Sequence, residues 1–282
     1  MGTGFEHTAL AVFTTLAPMG AGAFIALAYA FAVGKPDEKA ARRLDRWTAL
    51  PLAVLAAGFV GAFTHLASPL NAFGVFAGVG SSPLSNEVLA GVVFAALAVV
   101  YWVLALAGKL SAGARTGLLA VLSVLAVVFA VFCGLAYMMY TIPTWNTPLS
   151  IVQMVGYLMA GGTVLGFCTV GCARTALPKS AGAVALALVL AGAVLGAAGF
   201  GAQIAGLESL RNIWGSAADL VPAAGALLGA FAVCGVVGGA LTYAASKRAF
   251  SPALMATACV IVAVGIFVAR IGFYGLYMGI AL

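Results

Sequence analysis

Charged side chains are scarce in this sequence. Asp, Glu, Lys and Arg make up only 7% of the 282 residues, whereas 64% are hydrophobic, and a typical soluble domain is about 25% charged. The mean hydropathy is +1.17, and several uncharged runs approach or exceed the roughly 20 residues that cross a bilayer core. This composition excludes an ordinary water-soluble domain, and we expect an all-α integral membrane protein.

The sequence also lacks the residue patterns that hold metals and redox centres. It contains two histidines and five cysteines, with no CxxC motif, whereas zinc and iron–sulfur sites need closely spaced ligands. We therefore expect no metal and no iron–sulfur cluster in this chain. His7 and His65 can hold at most one haem between them, and none across the membrane, so no haem is expected either.

A cleavable signal peptide is not indicated at the N-terminus. The first segment lacks a basic leader, and its apolar run is far longer than the core of a signal peptide. We expect this run to remain as the first of eight transmembrane helices in a single domain, residues 1–282. The predicted helices lie at about residues 9–33, 47–66, 83–107, 117–140, 149–173, 180–200, 220–246 and 252–277. A charged loop is expected between the first two, over residues 34–46.

Basic residues are confined almost entirely to alternate loops of the predicted bundle. All but two of the 13 lysines and arginines follow the first, third, fifth or seventh helix. By the positive-inside rule these loops face the cytoplasm, which places both termini on the extracytoplasmic side of a bacterial inner membrane. The net charge of +6 is thus a topology signal, and no nucleic-acid partner is needed to explain it.

One polar stretch, from Thr64 to Glu87, interrupts the apolar sequence. Glu87 follows Ser82, a typical N-cap residue, and Pro83 at the first helical position, so we expect it one to two turns inside the third helix. His65 lies in the last turn of the second predicted helix, at the same outer end. Ionisable side chains at membrane depth mark functional sites by default. The structural alternatives are capping or snorkelling for Glu87 and an interfacial hydrogen bond for His65.

These two side chains suit the oxidation of a quinol. A quinol has hydroxyls at opposite ends of its ring and loses two protons on oxidation, so Glu87 and His65 are predicted to be its proton acceptors. The candidates for the rest of the pocket, with loop capping or packing as their alternative role, are Ser68, Asn71, Phe73 and Ser82. Arg270, the one basic residue well inside a predicted helix, joins this pocket, pairs with an acidic side chain or snorkels to the headgroups.

The polar stretch resembles a known family. The run HLASPLNAF (residues 65–73) is followed by VGSSPLSNE (residues 79–87) on the outer connection between the second and third of eight helices. This pattern resembles the DmsC family, the membrane anchor subunits of dimethyl sulfoxide (DMSO) reductases. The likeness extends over the whole chain in length and topology, and its specific part is Thr64 to Glu87.

The resemblance implies a haem-free anchor that binds and oxidises menaquinol near the outer face but does not carry the terminal reductase site. It also implies that electrons pass to a four-cluster iron–sulfur subunit and then to a molybdopterin-containing catalytic subunit, docked on the outer face. His65 and Glu87 match the family's histidine and glutamate that are tied to quinol binding. The family often has a glycine before the serine-proline and a basic residue shortly after it. This sequence has Ala67 and Asn71, so no role that needs a positive charge there is expected.

Three other functions stay open. A polysulfide-reductase or NrfD-type subunit is also an eight-helix quinone protein. A secondary transporter is expected to place polar groups near the bilayer midplane, whereas the predicted helix centres are nearly free of charge. A purely structural anchor has no quinone site and does not require Glu87.

Overall fold

The computed structural model describes residues 4–64, 69–213, 215–247 and 251–279, without the side chains of residues 69–71. Within these ranges, eight helical segments are long and apolar enough to cross a membrane, which confirms the predicted helical membrane bundle. The helices are α1 (Thr8–Gly34), α2 (Glu38–Trp47), α3 (Ala49–Thr64), α4 (Pro83–Leu106), α5 (Ala112–Leu135), α6 (Leu149–Cys172), α7 (Ala181–Gly206), α8 (Ala224–Lys247) and α9 (Pro252–Gly275). Helices α2 and α3 together form one of the eight segments.

The charged segment after α1 contains helix α2, so the predicted loop over residues 34–46 is wrong. Asp37 caps this helix, because its carboxylate accepts a hydrogen bond from the Ala40 amide at 2.7 Å. Arg42 Nη2 lies 2.6 Å from Glu38 Oε1, one turn back on an exposed face, while Leu44 is buried. The segment is therefore an amphipathic helix, and its charge content alone conceals that periodicity.

A buried ion pair ties α2 to α5. Arg115 Nε and Nη2 donate to Asp45 Oδ2 at 3.1 and 2.8 Å, and Arg115 Nη1 donates to the Leu110 carbonyl oxygen at 2.7 Å. The Tyr101 hydroxyl of α4 donates to Asp45 Oδ1 at 3.5 Å. The sequence predicts Arg115 in a loop, but it lies inside α5, because that helix begins at Ala112, five residues before the predicted start, with Ser111 as its N-cap.

Glycine allows the two central helices to touch. The membrane segments of α1 and α6 are 78% buried, against 22 to 39% for the other segments. A β-carbon added to Gly22 would lie 2.5 Å from the Leu158 carbonyl oxygen, and one added to Gly162 would lie 2.5 Å from the Gly22 Cα. Such close backbone approach stabilises helix pairs in lipid, where apolar side chains gain little from leaving the solvent.

Successive spans run in opposite directions, so helix ends gather in two layers. The start of α1 packs against the end of α9, where a β-carbon on Gly4 would meet the Ile271 carbonyl oxygen. We call this layer the termini end, and we call the opposite layer, which includes α2, the basic end. The connections at the termini end include a 3₁₀ segment, Pro69–Gly78, and an antiparallel hairpin of β1 (Arg211–Asn212) and β2 (Gly215–Ser216).

Candidate functional site

Glu87 is buried in the second turn of α4. Ser82 caps this helix by accepting a hydrogen bond from the Ser85 amide at 3.4 Å, and Pro83 is the first helical residue, so the predicted helix start is confirmed. Glu87 lies about 6 Å inside the helix, at ~1.5 Å per residue, and only 3% of its surface is exposed. Its Oε1 has no hydrogen-bond partner among the described residues. The Cys133 thiol of α5 lies beside the carboxyl group.

Arg270 is buried in α9, at the same end of the bundle. None of its surface is exposed, so the side chain does not snorkel to the headgroups. Its Nε donates to the Thr14 hydroxyl of α1 at 2.9 Å. Both Nη1 and Nη2 have no hydrogen-bond partner in the described part of the protein.

Three aromatic rings surround the Arg270 guanidinium. Its Cζ lies 4.0 Å from the centre of the Phe273 ring, 4.7 Å from that of Tyr274 and 4.9 Å from that of Tyr137. Each distance is within the ~6 Å range of a cation–π interaction. The rings offset part of the cost of burying the cation, but they do not supply the hydrogen bonds that Nη1 and Nη2 lack.

Three hydroxyl groups adjoin the guanidinium. Thr14 Oγ1 donates to the Leu10 carbonyl oxygen at 2.8 Å and lies 3.3 Å from the Tyr274 hydroxyl. The Tyr274 hydroxyl is also hydrogen-bonded to the Tyr137 hydroxyl. Burial raises the pKa of the Tyr137 phenol well above its usual value, so this group stays neutral and keeps its proton for the hydrogen bond.

Glu87 and Arg270 are an acidic and a basic side chain that approach each other without forming an ion pair. They are close enough to interact electrostatically, yet no ion pair within 4.0 Å joins them in the described structure. Buried polar groups are almost always hydrogen-bonded, and a buried charge without a partner is costly. Two such groups at one end of the bundle, each with unsatisfied polar atoms, therefore indicate a site that a ligand can complete.

The other predicted site residues lie apart from this pair or are not described. Outside the described residues lie His65, Ser68 and the side chain of Asn71. Phe73 projects from the 3₁₀ segment with 82% of its surface exposed, so it does not line the buried site. Ser82 serves as the cap of α4, which is the alternative role that the sequence allowed.

His7 is half-buried in an aromatic layer at the termini end. Its ring centre lies 5.7 Å from that of Tyr274 and 6.1 Å from those of Trp145 and Tyr277. Trp145 Nε1 donates to the Phe273 carbonyl oxygen at 2.9 Å, which ties the loop after α5 to α9. Among the described residues, no three His, Cys, Asp or Glu side chains lie close enough to hold a metal ion. His65 is not among those residues, so the absence of haem stays a prediction.

Sequence reasoning missed the residues that surround the charged pair, namely Cys133, Thr14, Tyr137 and Tyr274. Each is an ordinary polar or phenolic residue in or next to an apolar helix. The available signal was depth, because Thr14 lies six residues from the start of α1 and Arg270 lies five residues from the end of α9. Matching depth in antiparallel helices predicts proximity only when the two helices are already known to be neighbours.

Comparison with known proteins identifies the family. Residues 1–276 match the family model described as DMSO reductase anchor subunit (DmsC). The chain belongs to the DmsC family. The resemblance of the Thr64–Glu87 stretch is thereby confirmed over the whole sequence, and membership supports a membrane anchor of a DMSO reductase complex.

Three relatives of this DmsC-family protein show how far the similarity extends. It is 33% identical over 291 residues to the DmsC-type subunit of the anaerobic dimethyl sulfoxide reductase of Escherichia coli (strain K12), covering 100% of this sequence and 99% of that protein. It is 30% identical over 167 residues to the Haemophilus influenzae protein of the same description, covering 59% of this sequence and 60% of that protein. It is 26% identical over 286 residues to the YnfH subunit of an Escherichia coli (strain K12) anaerobic dimethyl sulfoxide reductase, covering 100% of this sequence and 99% of that protein.

Proposed function

We propose that this DmsC-family protein binds menaquinol between Glu87 and Arg270 and oxidises it, as the anchor of a DMSO reductase-type complex. The observation that carries this proposal is a buried acidic side chain near a buried basic one, each with polar atoms that lack a hydrogen-bond partner among the described residues. A quinol hydroxyl is both a donor and an acceptor. One quinol oxygen can therefore donate to the Glu87 carboxylate and accept from the Arg270 guanidinium.

The two charges have different roles in the oxidation. Menaquinol becomes menaquinone by losing two protons and two electrons. Glu87 accepts the proton of the hydroxyl that it binds, while Arg270 holds the same oxygen and favours its deprotonation electrostatically. His65, which matches the family's histidine, is proposed to take the proton of the second hydroxyl. The two electrons leave to the iron–sulfur subunit, and the anchor is proposed to carry no haem, cluster or metal of its own.

Exposed apolar side chains on the loops of the termini end suit a protein partner. Phe73, Tyr140 and Ile213 are 82%, 85% and 81% exposed, and all three lie outside the membrane-spanning segments. Aromatic side chains such as Phe and Tyr are enriched at protein–protein interfaces. We propose that the iron–sulfur subunit docks on this face, near the buried pair, and carries the molybdopterin catalytic subunit. The positive-inside rule makes this the extracytoplasmic face of the inner membrane.

Glu87→Gln in the assembled complex tests the proposal. Glutamine keeps the size of the side chain but cannot accept the proton, so we expect oxidation of a naphthoquinol to fall about 10²- to 10⁴-fold, the usual contribution of a general base. Glu38→Gln is the control, because it removes an exposed carboxylate at the opposite end of the bundle, away from the proposed docking face, and it is expected to leave turnover unchanged. Unchanged turnover in Glu87→Gln, with the complex assembled, rules out this site.

A further inference from the structure

The contact between Arg270 and Thr14 sets the direction of the guanidinium. Arg270 Nε donates to Thr14 Oγ1 at 2.9 Å, and Thr14 is fully buried about 9 Å inside α1. The guanidinium is a rigid planar fork. The Nε–H bond lies in that plane, so holding it at one edge of the fork restricts where Nη1 and Nη2 point. These are the nitrogens without a hydrogen-bond partner among the described residues.

The hydrogen atoms of the surrounding network have a consistent arrangement. The Thr14 hydroxyl donates to the Leu10 carbonyl oxygen at 2.8 Å, which leaves its lone pairs to accept from Arg270 Nε at 2.9 Å. The Tyr274 hydroxyl lies 3.3 Å from Thr14 Oγ1, donates to the Leu10 carbonyl oxygen at 3.4 Å and is hydrogen-bonded to the Tyr137 hydroxyl. Thr14 is therefore the acceptor for Arg270 Nε, and the hydrogen-bond network around it extends through Tyr274 to the loop after α5.

We propose that Thr14 is a positioning residue of the quinol site, which holds Arg270 by Nε so that its Nη groups are directed at a ligand bound beside Glu87. Thr14 does not touch the quinol and acts only through Arg270. Donors that are already oriented bind a ligand oxygen more tightly, because they lose little conformational entropy when the ligand binds. This proposal rests on the proposed function, since the direction of the Nη groups matters only if a ligand binds there.

The alternative for Thr14 is a purely local role. Serine and threonine hydroxyls often bond to the carbonyl oxygen four residues back in a helix, with no wider consequence. The neighbouring Thr15 provides a matched comparison. It is 2% exposed, and its hydroxyl has no hydrogen-bond partner among the described residues, so replacing it changes the packing of α1 without touching Arg270.

The experiment compares Thr14→Val, which keeps the side-chain shape, with Thr14→Ser, which keeps the hydroxyl. The measurement is binding of a hydroxyquinoline N-oxide, a quinol-analogue inhibitor, to membranes that contain the assembled complex. We expect Thr14→Val to raise the Kd about tenfold, as for one lost hydrogen bond to a charged group. The Kd of Thr14→Ser is expected to stay within about twofold of the wild-type value. Thr15→Val is expected to leave the Kd unchanged.

A double-mutant cycle separates positioning from a general loss of packing. Arg270→Gln removes the group through which Thr14 acts, so adding Thr14→Val to it is expected to raise the Kd no further. Additive losses from the two substitutions overturn the proposal, because Thr14 then acts without Arg270. An unchanged Kd in Thr14→Val overturns it as well.

Failure of the proposed function gives a different pattern of results. If Glu87→Gln and Arg270→Gln both leave inhibitor binding unchanged in the assembled complex, the quinol site is wrong and the role of Thr14 is lost with it. If both weaken binding and Thr14→Val does not, only the role of Thr14 is wrong. Should Thr14→Val prevent assembly, Tyr274→Phe goes through the same cycle. Tyr274→Phe is then expected to raise the Kd in the wild-type background but not in the Arg270→Gln background. Any other result overturns the proposal.

Discussion

The buried ion pair at the basic end gives a prediction about stability that does not depend on the quinol site. Asp45→Asn replaces the carboxylate that holds α2 against α5 with a neutral amide. The Asp45 side chain is 1% exposed and that of Arg115 is 9% exposed, so water cannot take over the lost contacts. The substitution therefore leaves the Arg115 cation buried with a much weaker partner.

The size of the effect follows from these contacts. Asp45 Oδ2 accepts two hydrogen bonds from Arg115, at 3.1 and 2.8 Å. Removing one partner of a buried ion pair costs about 3–5 kcal/mol, because the other charge stays buried and uncompensated. Asparagine keeps one oxygen acceptor, so we expect a loss near the lower limit, ~3 kcal/mol, which is about a hundredfold change in the unfolding equilibrium. Asp45→Leu with Arg115→Leu removes both charges and is expected to recover most of the loss.

Thermal unfolding of the detergent-solubilised complex measures this effect, with the amount assembled in membranes as a second reading. Quinol turnover per assembled complex is expected to stay unchanged, because Asp45 and Glu87 lie near opposite ends of the bundle. The reasoning is refuted if the Asp45→Asn complex is as stable as the unchanged protein. It is also refuted if the double leucine variant is less stable than Asp45→Asn. The ion pair would then stabilise the protein by itself, and the loss in Asp45→Asn could not be assigned to an uncompensated Arg115 cation.

Two further predictions concern helix packing and docking. Gly22→Val is expected to abolish assembly, because its side chain would collide with the Leu158 carbonyl oxygen, whereas Gly113→Ala, at a position with open space, is expected to assemble normally. Immunoblots of membrane fractions measure both. Phe73→Asp combined with Tyr140→Asp is expected to release the iron–sulfur subunit while the anchor stays in the membrane. Co-purification measures that release, and full retention argues against this face as the docking surface.

Sequence patterns predict the membrane crossings of this protein better than the segments between them. A transmembrane helix must satisfy its own backbone hydrogen bonds, so each long uncharged run specifies a helix whatever its neighbours are. Helix α2 escapes prediction because its cluster of charges is typical of a loop. The signal that predicts it is finer, namely the one-turn spacing of Glu38 and Arg42 directly after Asp37, a favourable N-cap residue.

The same distinction applies to the candidate site. Glu87 and Arg270 are evident in the sequence, because an ionisable residue in an apolar helix is costly and can be recognised from that helix alone. Thr14 and Tyr274 are not, because their importance depends on contacts such as that between Thr14 and Arg270, which are 256 residues apart. No local pattern encodes such a contact. The role of His65 and the sidedness of the bundle stay predictions from the family resemblance and the charge distribution.

The distribution of charge along the helices determines where the protons of the quinol can go. Glu87 and Arg270 lie near the termini end, Asp45 and Arg115 lie near the basic end, and the helical stretches between these levels contain no Asp, Glu, Lys, Arg or His. Proton pathways through membrane proteins rely on such side chains near the midplane. We therefore expect quinol oxidation to release its protons on the side of Glu87, where the electrons also leave, and to build no membrane potential through this protein. Complexes reconstituted in vesicles with a potential-sensitive dye measure this. A potential that develops during turnover and collapses on adding a protonophore would contradict the expectation, because charge would then be crossing a bundle that has no acidic or basic side chain at its centre.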